Sequence, residues 1–319
     1  MFLACLTAFV GFAMLIGGAE FLVRGSVVVA NKLKVPTLII GLTFVAFGTT
    51  LPEFVICMKS AMSGNADIAL GSVIGSNIAN ILLVLAISAF INPIKCKPNI
   101  FYRDFSFLAL TALFFSFFAT RGELARWNGW VLLLFLFWFV FYYTYTAGQK
   151  TAKNKRMPRQ LVNKSWWSVL LATIGGVLGV AFGADFFLDG VIEIAKGMRI
   201  SEEVISVTII AVGTALPELA TSCVAAYRKQ NDIALGNIIG ANIWNIVLIV
   251  GSIAAIGKIE VSTQYVVYDI WVMLFASFML LPIMMFKHKI VRSEAFFMLL
   301  CYVAYLTGLF FIATGKLVL

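Results

Sequence analysis

Apolar residues run along this chain in stretches that are long and nearly free of charge. Phe2–Ala19, Ile68–Ile94, Trp127–Gln149, Ser165–Ala184, Ile233–Gly257 and Ala295–Gly315 reach or approach the ~20 residues with which a helix crosses a bilayer. Phe105–Thr120 and Ile270–Phe286 are shorter but adequate with their flanks. Two further windows, Val35–Met58 and Val204–Tyr227, have spanning length and are each interrupted by one acid, Glu53 and Glu218. The pattern predicts an all-α polytopic membrane protein with ten transmembrane helices.

Composition agrees. Of 319 residues, 61% are hydrophobic and only 12% are charged, against about 25% charged in a typical soluble domain. The net charge of +9 reads as basic cytoplasmic loops rather than a nucleic-acid surface. With the N-terminus outside, 17 of the 24 Lys and Arg residues fall on inner loops, six of them in the segment around Lys150–Lys164. The expectation is therefore both termini outside, the 147–164 loop cytoplasmic, and the chain in the plasma (inner) membrane of a prokaryotic cell. The first apolar run lacks a basic leader and a small-residue cleavage site, so a cleaved signal peptide is not expected. Cys5, Cys57, Cys96, Cys223 and Cys301 fall singly and read as small buried hydrophobes.

The chain is written twice. Shifted by 165 residues, Ala46–Ala86 meets Ala211–Gly251 without a gap, with nineteen identities in forty-one positions; chance does not produce this. Gly18-Ala19-Glu20 likewise meets Gly183-Ala184-Asp185, and Gly25 meets Gly190. Each copy holds five helices, an odd number, so the second must enter the membrane from the other side. The expected organisation is a first five-helix repeat at 1–146, a basic hinge loop at 147–164 and an inverted repeat at 165–319. Inverted repeats of this kind build transporters, with the substrate held near mid-membrane where the copies meet.

The motifs "GTTLPEF" from Gly48 and "GTALPEL" from Gly213 carry the chemistry. A carboxylate at the bilayer centre costs about 2.5–3.5 kcal/mol on insertion scales, so it is retained for a purpose. Pro52 and Pro217 lack an N–H and loosen the carbonyl four residues earlier, near Gly48 and Gly213. Ala46, Thr49, Thr50 and Glu53 share one helix face, and the second copy offers Ala211, Thr214, Ala215 and Glu218. On the next helix Ser76 and Asn80 stand one turn apart, as do Ala241 and Asn245. Asn77 and Asn242 read as interhelical glue, Asp67 and Asp232 as helix N-caps, and Glu20 and Asp185 as acids near helix ends that reach the interface. Carboxylates, hydroxyls, amides and bent-backbone carbonyls are hard oxygen donors, suited to Ca²⁺, Na⁺ or Mg²⁺ rather than to zinc or copper, with Mg²⁺ demanding tighter octahedral order than a bent, mixed site provides. Two facing glutamates repel each other unless a cation or proton lies between them, so the empty site resists a change of state. An enzyme is not expected: there is no HExxH, no Asp-rich cluster and no histidine in a membrane window. A cation channel is the rival from another class, and it would need a continuous polar path.

"GTTLPE…GSVIGSNIANI" and "GTALPE…GNIIGANIWNI" resemble the two α-repeats of the cation/Ca²⁺ antiporter superfamily, in its Na⁺/Ca²⁺ exchanger branch of prokaryotic type. The resemblance implies ten helices in two inverted halves, with helices 1 and 6 sliding past a core of the other eight. It implies exchange of Na⁺ for Ca²⁺ by alternating access, without a cofactor and with a monomer sufficient for transport. By motif position the ion ligands would be Ala46 (carbonyl), Thr49, Thr50, Glu53, Ser76 and Asn80, with Ala211 (carbonyl), Thr214, Glu218 and Asn245 opposite. The two glutamates would chelate Ca²⁺. This sequence departs from the family pattern at Ala215 and Ala241, where a hydroxyl is usual, which keeps Ca²⁺/H⁺ exchange at the same glutamates open as the alternative. Asn245, an aspartate in some K⁺-dependent members, argues against K⁺ coupling.

Overall fold

The computed structural model describes residues 1–95, 98–149, 165–198 and 211–314. Nine helices among these residues are long and apolar enough to cross a membrane. They are α1 (Phe2–Leu33), α2 (Thr37–Met62), α3 (Ala66–Ile91), α4 (Pro98–Ala119), α5 (Arg126–Gln149), α6 (Trp166–Gly197), α8 (Asn231–Ile256), α9 (Tyr265–Asp269 continuing as Ile270–Lys287) and α10 (Arg292–Ala313). The window predicted over Val204–Tyr227 is described from residue 211. It shows a helical turn, Ala211–Gly213, a break at Thr214–Ala215, and then α7, Leu216–Tyr227. The hinge expected at 147–164 lies, from residue 150 onward, outside the described residues.

α1 and α6 are each 32 residues long and run well past the apolar windows that announced them. Inside α1 the i, i+4 pair Glu20–Arg24 supports continuation. Termination comes at Lys34, whose left-handed backbone (φ 56°, ψ 34°) turns its N–H back onto the carbonyls of Ala30 and Asn31. Pro36 follows and disfavours a helical residue before it. Glu20 and Asp185 therefore do not sit near helix ends, as the sequence had suggested; both lie well inside these long helices.

α1 and α6 pack on each other along their length in opposite directions. Gly11 lies against Phe187, Gly18 against Val180 and Gly25 against Thr173, so the partner number falls as the first rises. This antiparallel seam is the geometry an inverted repeat requires. The glycines recur every seven residues on both helices, at 11, 18 and 25 and at 176, 183 and 190. A β-carbon at Gly18 would stand 2.5 Å from the Val180 backbone nitrogen, and one at Gly176 2.6 Å from that of Leu22. Without a hydrophobic drive between helices in lipid, such close backbone contact supplies the van der Waals attraction.

The centre of the molecule belongs to α3 and α8. Their apolar windows are 72% and 83% buried, against 22–33% for those of α1, α5, α6 and α10, which face lipid. Two short antiparallel bridges tie the halves together beyond the helix ends. Ile94–Lys95 pairs with Lys289–Ile290, and Glu123–Leu124 pairs with Ile259–Glu260. Each joins an interhelical loop of one half to a loop of the other.

Two buried acids were not legible as such. Asp104 accepts hydrogen bonds from Tyr143 Oη and from Arg103 Nε, the latter at 2.7 Å. Its repeat partner Asp269 accepts from Tyr305 Oη at 2.7 Å and Gln264 Nε2 at 3.2 Å. Each acid lies in the first two turns of the fourth helix of its half and is anchored by a tyrosine from the fifth.

Candidate functional site

The site forms where α2 and α3 of one half meet α7 and α8 of the other. Glu53 lies on α2 behind Pro52, which stands inside a continuous helix and leaves the Gly48 carbonyl without its usual N–H partner. Glu218 lies in the first turn of α7, where Pro217 is tolerated because an N–H there has no helical acceptor. Both carboxylates are buried, 8% and 1% exposed. They are close enough that the charge on Glu53 acts on Glu218.

Their surroundings differ in one decisive way. Ser76 Oγ donates to Glu53 Oε1 at 2.6 Å, and Asn245 and Ser72 lie close to the same carboxylate. At the position related to Ser76 the second half has Ala241, and Glu218 Oε1 is buried with no hydrogen-bond partner. Thr49 is near Glu218; its hydroxyl reaches the Ala46 carbonyl and Asn237 Oδ1, each at 3.2 Å. Asn237 in turn donates to Ser222 Oγ at 3.0 Å.

Four asparagines form a reciprocal clamp across the α3–α8 contact. Asn77 Nδ2 donates to the Asn242 carbonyl and Asn242 Nδ2 to the Asn77 carbonyl, both at 3.3 Å. Asn80 Nδ2 donates to Asn242 Oδ1 at 3.0 Å, and Asn245 Nδ2 to Asn77 Oδ1 at 3.1 Å. Swapping the two halves exchanges each bond for its counterpart. The clamp uses the donors of Asn80 and Asn245 and leaves their Oδ1 atoms buried without a partner. Asn77 and Asn242 thus do the interhelical work expected of them.

Both halves also change helical pitch at this level. A π-helical stretch runs over Asn80–Leu85 in α3 and again over Asn245–Val250 in α8, each beginning at a clamp asparagine. A third occupies Gly41–Val45 in α2, just before Ala46. Such bulges widen the turn and are frequent at functional sites. They are not legible in the sequence, because one wider backbone ring leaves the hydropathy pattern unchanged.

Every described candidate falls in this region. Ala46, Thr49, Thr50, Ser76, Asn80 and Asn245 are buried; Thr50 Oγ1 has no partner; Ala211 heads the short helical turn before the break, and Thr214 lies in the break itself. A cavity of about 90 Å³ is lined by Thr49, Glu53, Ser72, Asp185 and Thr214. Ser72 and Asp185 are its additions to the predicted set. Ser72 stands one turn before Ser76 on α3, a spacing visible in the sequence. Among the described residues no three His, Cys, Asp or Glu side chains gather into a metal cluster. The donor set is two carboxylates among neutral oxygens, with Glu218 Oε1, Asn80 Oδ1, Asn245 Oδ1 and the Thr50 hydroxyl left without a hydrogen-bond partner. A buried acceptor with no hydrogen to receive is costly, and a hard cation removes that cost at several oxygens together.

The profile of the family described as "Sodium/calcium exchanger protein" matches residues 3–145 and again 168–311, one match for each half. The chain belongs to the sodium/calcium exchanger family. This exchanger is 34% identical over 317 residues to the "Putative antiporter CaxA" of Alkalimonas amylolytica, covering 96% of the chain and 98% of that protein. It is 29% identical over 339 residues to the "Sodium/calcium exchanger MaX1" of Methanosarcina acetivorans, covering 95% and 97%. Among solved structures, the sodium/calcium exchanger from Methanococcus jannaschii superposes with a TM-score of 0.83 at 29% identity, over 96% of this chain and 98% of that one. The protein is a multi-pass membrane transporter, a cation/Ca²⁺ antiporter rather than an enzyme.

Proposed function

We propose that this exchanger moves Ca²⁺ out of the cell against an inward flow of Na⁺, by alternating access at a mid-membrane site built on Glu53 and Glu218. The observation that carries the reading is the unpartnered Glu218 Oε1 among the equally unpartnered Asn80 Oδ1, Asn245 Oδ1 and Thr50 Oγ1. Ca²⁺ is chelated by the two carboxylates, with the carbonyls of Ala46 and Ala211 and the side chains of Thr49, Thr50, Ser76, Asn80, Thr214 and Asn245 as the remaining donors. Na⁺ shares the glutamates with the flanking hydroxyls and carbonyls. MaX1, named a sodium/calcium exchanger, supports Na⁺ as counter-ion. The chain works as two inverted repeats, 1–146 and 165–319, around a cytoplasmic 147–164 hinge. It sits in the plasma (inner) membrane with both termini outside and a monomer as the working unit.

One observation favours a second reading. With alanine at 215 and 241 the second half lacks two hydroxyls, and a proton satisfies Glu218 Oε1 as a cation does. Ca²⁺/H⁺ exchange would use the same carboxylates. Purified protein in vesicles separates the two. Uptake of ⁴⁵Ca²⁺ driven by an imposed Na⁺ gradient, with the pH clamped, is the expected result; uptake that follows a pH gradient and ignores Na⁺ overturns Na⁺ coupling.

A further inference from the structure

The repeat-related acids Glu20 and Asp185 occupy the two sides of the site in different states. Along the α1–α6 seam Gly18 faces Val180 and Gly11 faces Phe187. Asp185 therefore lies across from the part of α1 between Gly11 and Gly18, whereas Glu20 lies beyond Gly18 in the other direction. The two acids flank the middle of the seam, roughly one helical turn (~5 Å) to either side.

Asp185 lines the same cavity as Glu53, Thr49 and Thr214. No cation pairs with it among the described residues, and a second acid, Asp189, acts on it electrostatically. Glu20 is held instead. Arg228, the residue that ends α7, grips it with Nη2 at 2.5 Å and Nε at 3.0 Å, and Arg24 binds it from within α1. Behind this ion pair lies a separate cavity of about 510 Å³, lined by Arg24, Arg228, Gln230 and Ser168 and by none of the candidate ion ligands. The position related to Arg228 is Ser63, so that position supplies no cation to Asp185.

We propose that Asp185 and Glu20 are paired mouth carboxylates of the exchanger, each receiving the cation when its own side is open, and that Arg228 withholds Glu20 while the Asp185 side is open. This rests on Glu53 and Glu218 holding the ion, and goes beyond it by assigning the entry and exit steps. When the Glu20 side opens, Arg228 must release Glu20, which then faces the site as Asp185 does in this structure. The step is an exchange of ion pairs, with Ca²⁺ replacing the guanidinium at Glu20.

The test uses the full chain in vesicles of known orientation, with ⁴⁵Ca²⁺ applied to one face at a time. Asp185→Asn raises the KM for Ca²⁺ roughly five- to tenfold on the Asp185 face, about what one half-solvated charge contributes, and leaves kcat and the opposite face within about twofold. Glu20→Gln does the converse. The double exchange Glu20→Arg with Arg228→Glu restores the thermal stability lost by either single change but not the KM on its face, because no carboxylate is left at position 20. Equal KM changes on both faces, no change on either, or full KM recovery in the double exchange each overturn the proposal. Glu53→Gln run alongside keeps the two readings apart: activity retained there refutes the ion site, while activity lost with an unmoved Asp185→Asn refutes only the mouth assignment.

Discussion

The two halves present the same letters, Leu-Pro-Glu, in two different backbones. In the first half the helix runs unbroken through Pro52 from Thr37 to Met62. In the second it stops after Gly213, turns at Thr214–Ala215 and restarts with Pro217 in its first turn. Donor chemistry differs in step. Glu53 Oε1 receives the hydroxyl of Ser76, while Glu218 Oε1, with Ala241 at the related position, has no hydrogen-bond partner. The two halves share a frame, and the serine-to-alanine difference at 76 and 241 leaves one carboxylate oxygen held and its counterpart without a partner. A site built this way has a fixed end and an end whose satisfaction depends on what is bound.

The sharpest way to break the comparison is to remove each charge. Glu218→Gln and Glu53→Gln should each lower ⁴⁵Ca²⁺ exchange by on the order of 100-fold or more, the usual scale for truncating one member of a buried charged contact, while expression and thermal stability stay near wild type. Retained exchange in both would end the assignment. Next in size is the proline contrast. Pro52→Ala gives the chain an N–H for the Gly48 carbonyl and should cost about tenfold in apparent Ca²⁺ affinity. Pro217→Ala adds an N–H where none is used and should cost under about twofold. Equal effects would mean that the two prolines do the same work. The smallest and most informative change restores symmetry. Ala241→Ser offers Glu218 the donor that Glu53 already has, worth about 1 kcal/mol. It should shift the Na⁺ concentration for half-maximal exchange by a few-fold, while Ser76→Ala moves Ca²⁺ affinity by a similar factor in the weakening direction. An Ala241→Ser protein with unaltered Na⁺ dependence would show that the missing hydroxyl is irrelevant to coupling.

Much of this was legible beforehand, because membrane insertion and gene duplication both write long signals. Uncharged runs predicted the spans, the 165-residue shift predicted the second half, and the paired acids among small polar residues predicted which helices meet. What escaped depends on tertiary context. The windows at Phe105 and Ile270 each begin one residue after a buried acid, so Asp104 and Asp269 fall outside the apolar runs, and only Tyr143 and Tyr305 reaching them shows that they are buried. Nothing local distinguishes a proline inside a continuous helix from one that opens a new helix when the flanking letters match. The roles of Glu20 and Asp185 stayed hidden because α1 and α6 continue through charged positions. At Glu20 the charge is held by Arg24 on the same helix and by Arg228 from α7.

The glycine seam between α1 and α6 has a mechanical consequence. Two rods in backbone contact, with no side chains between them to shear, travel as a single piece; slipping one past the other would drive Leu15 and Val180 main-chain atoms into the opposite helix. In the proposed alternating-access cycle the two rods therefore move as one body against the remaining helices.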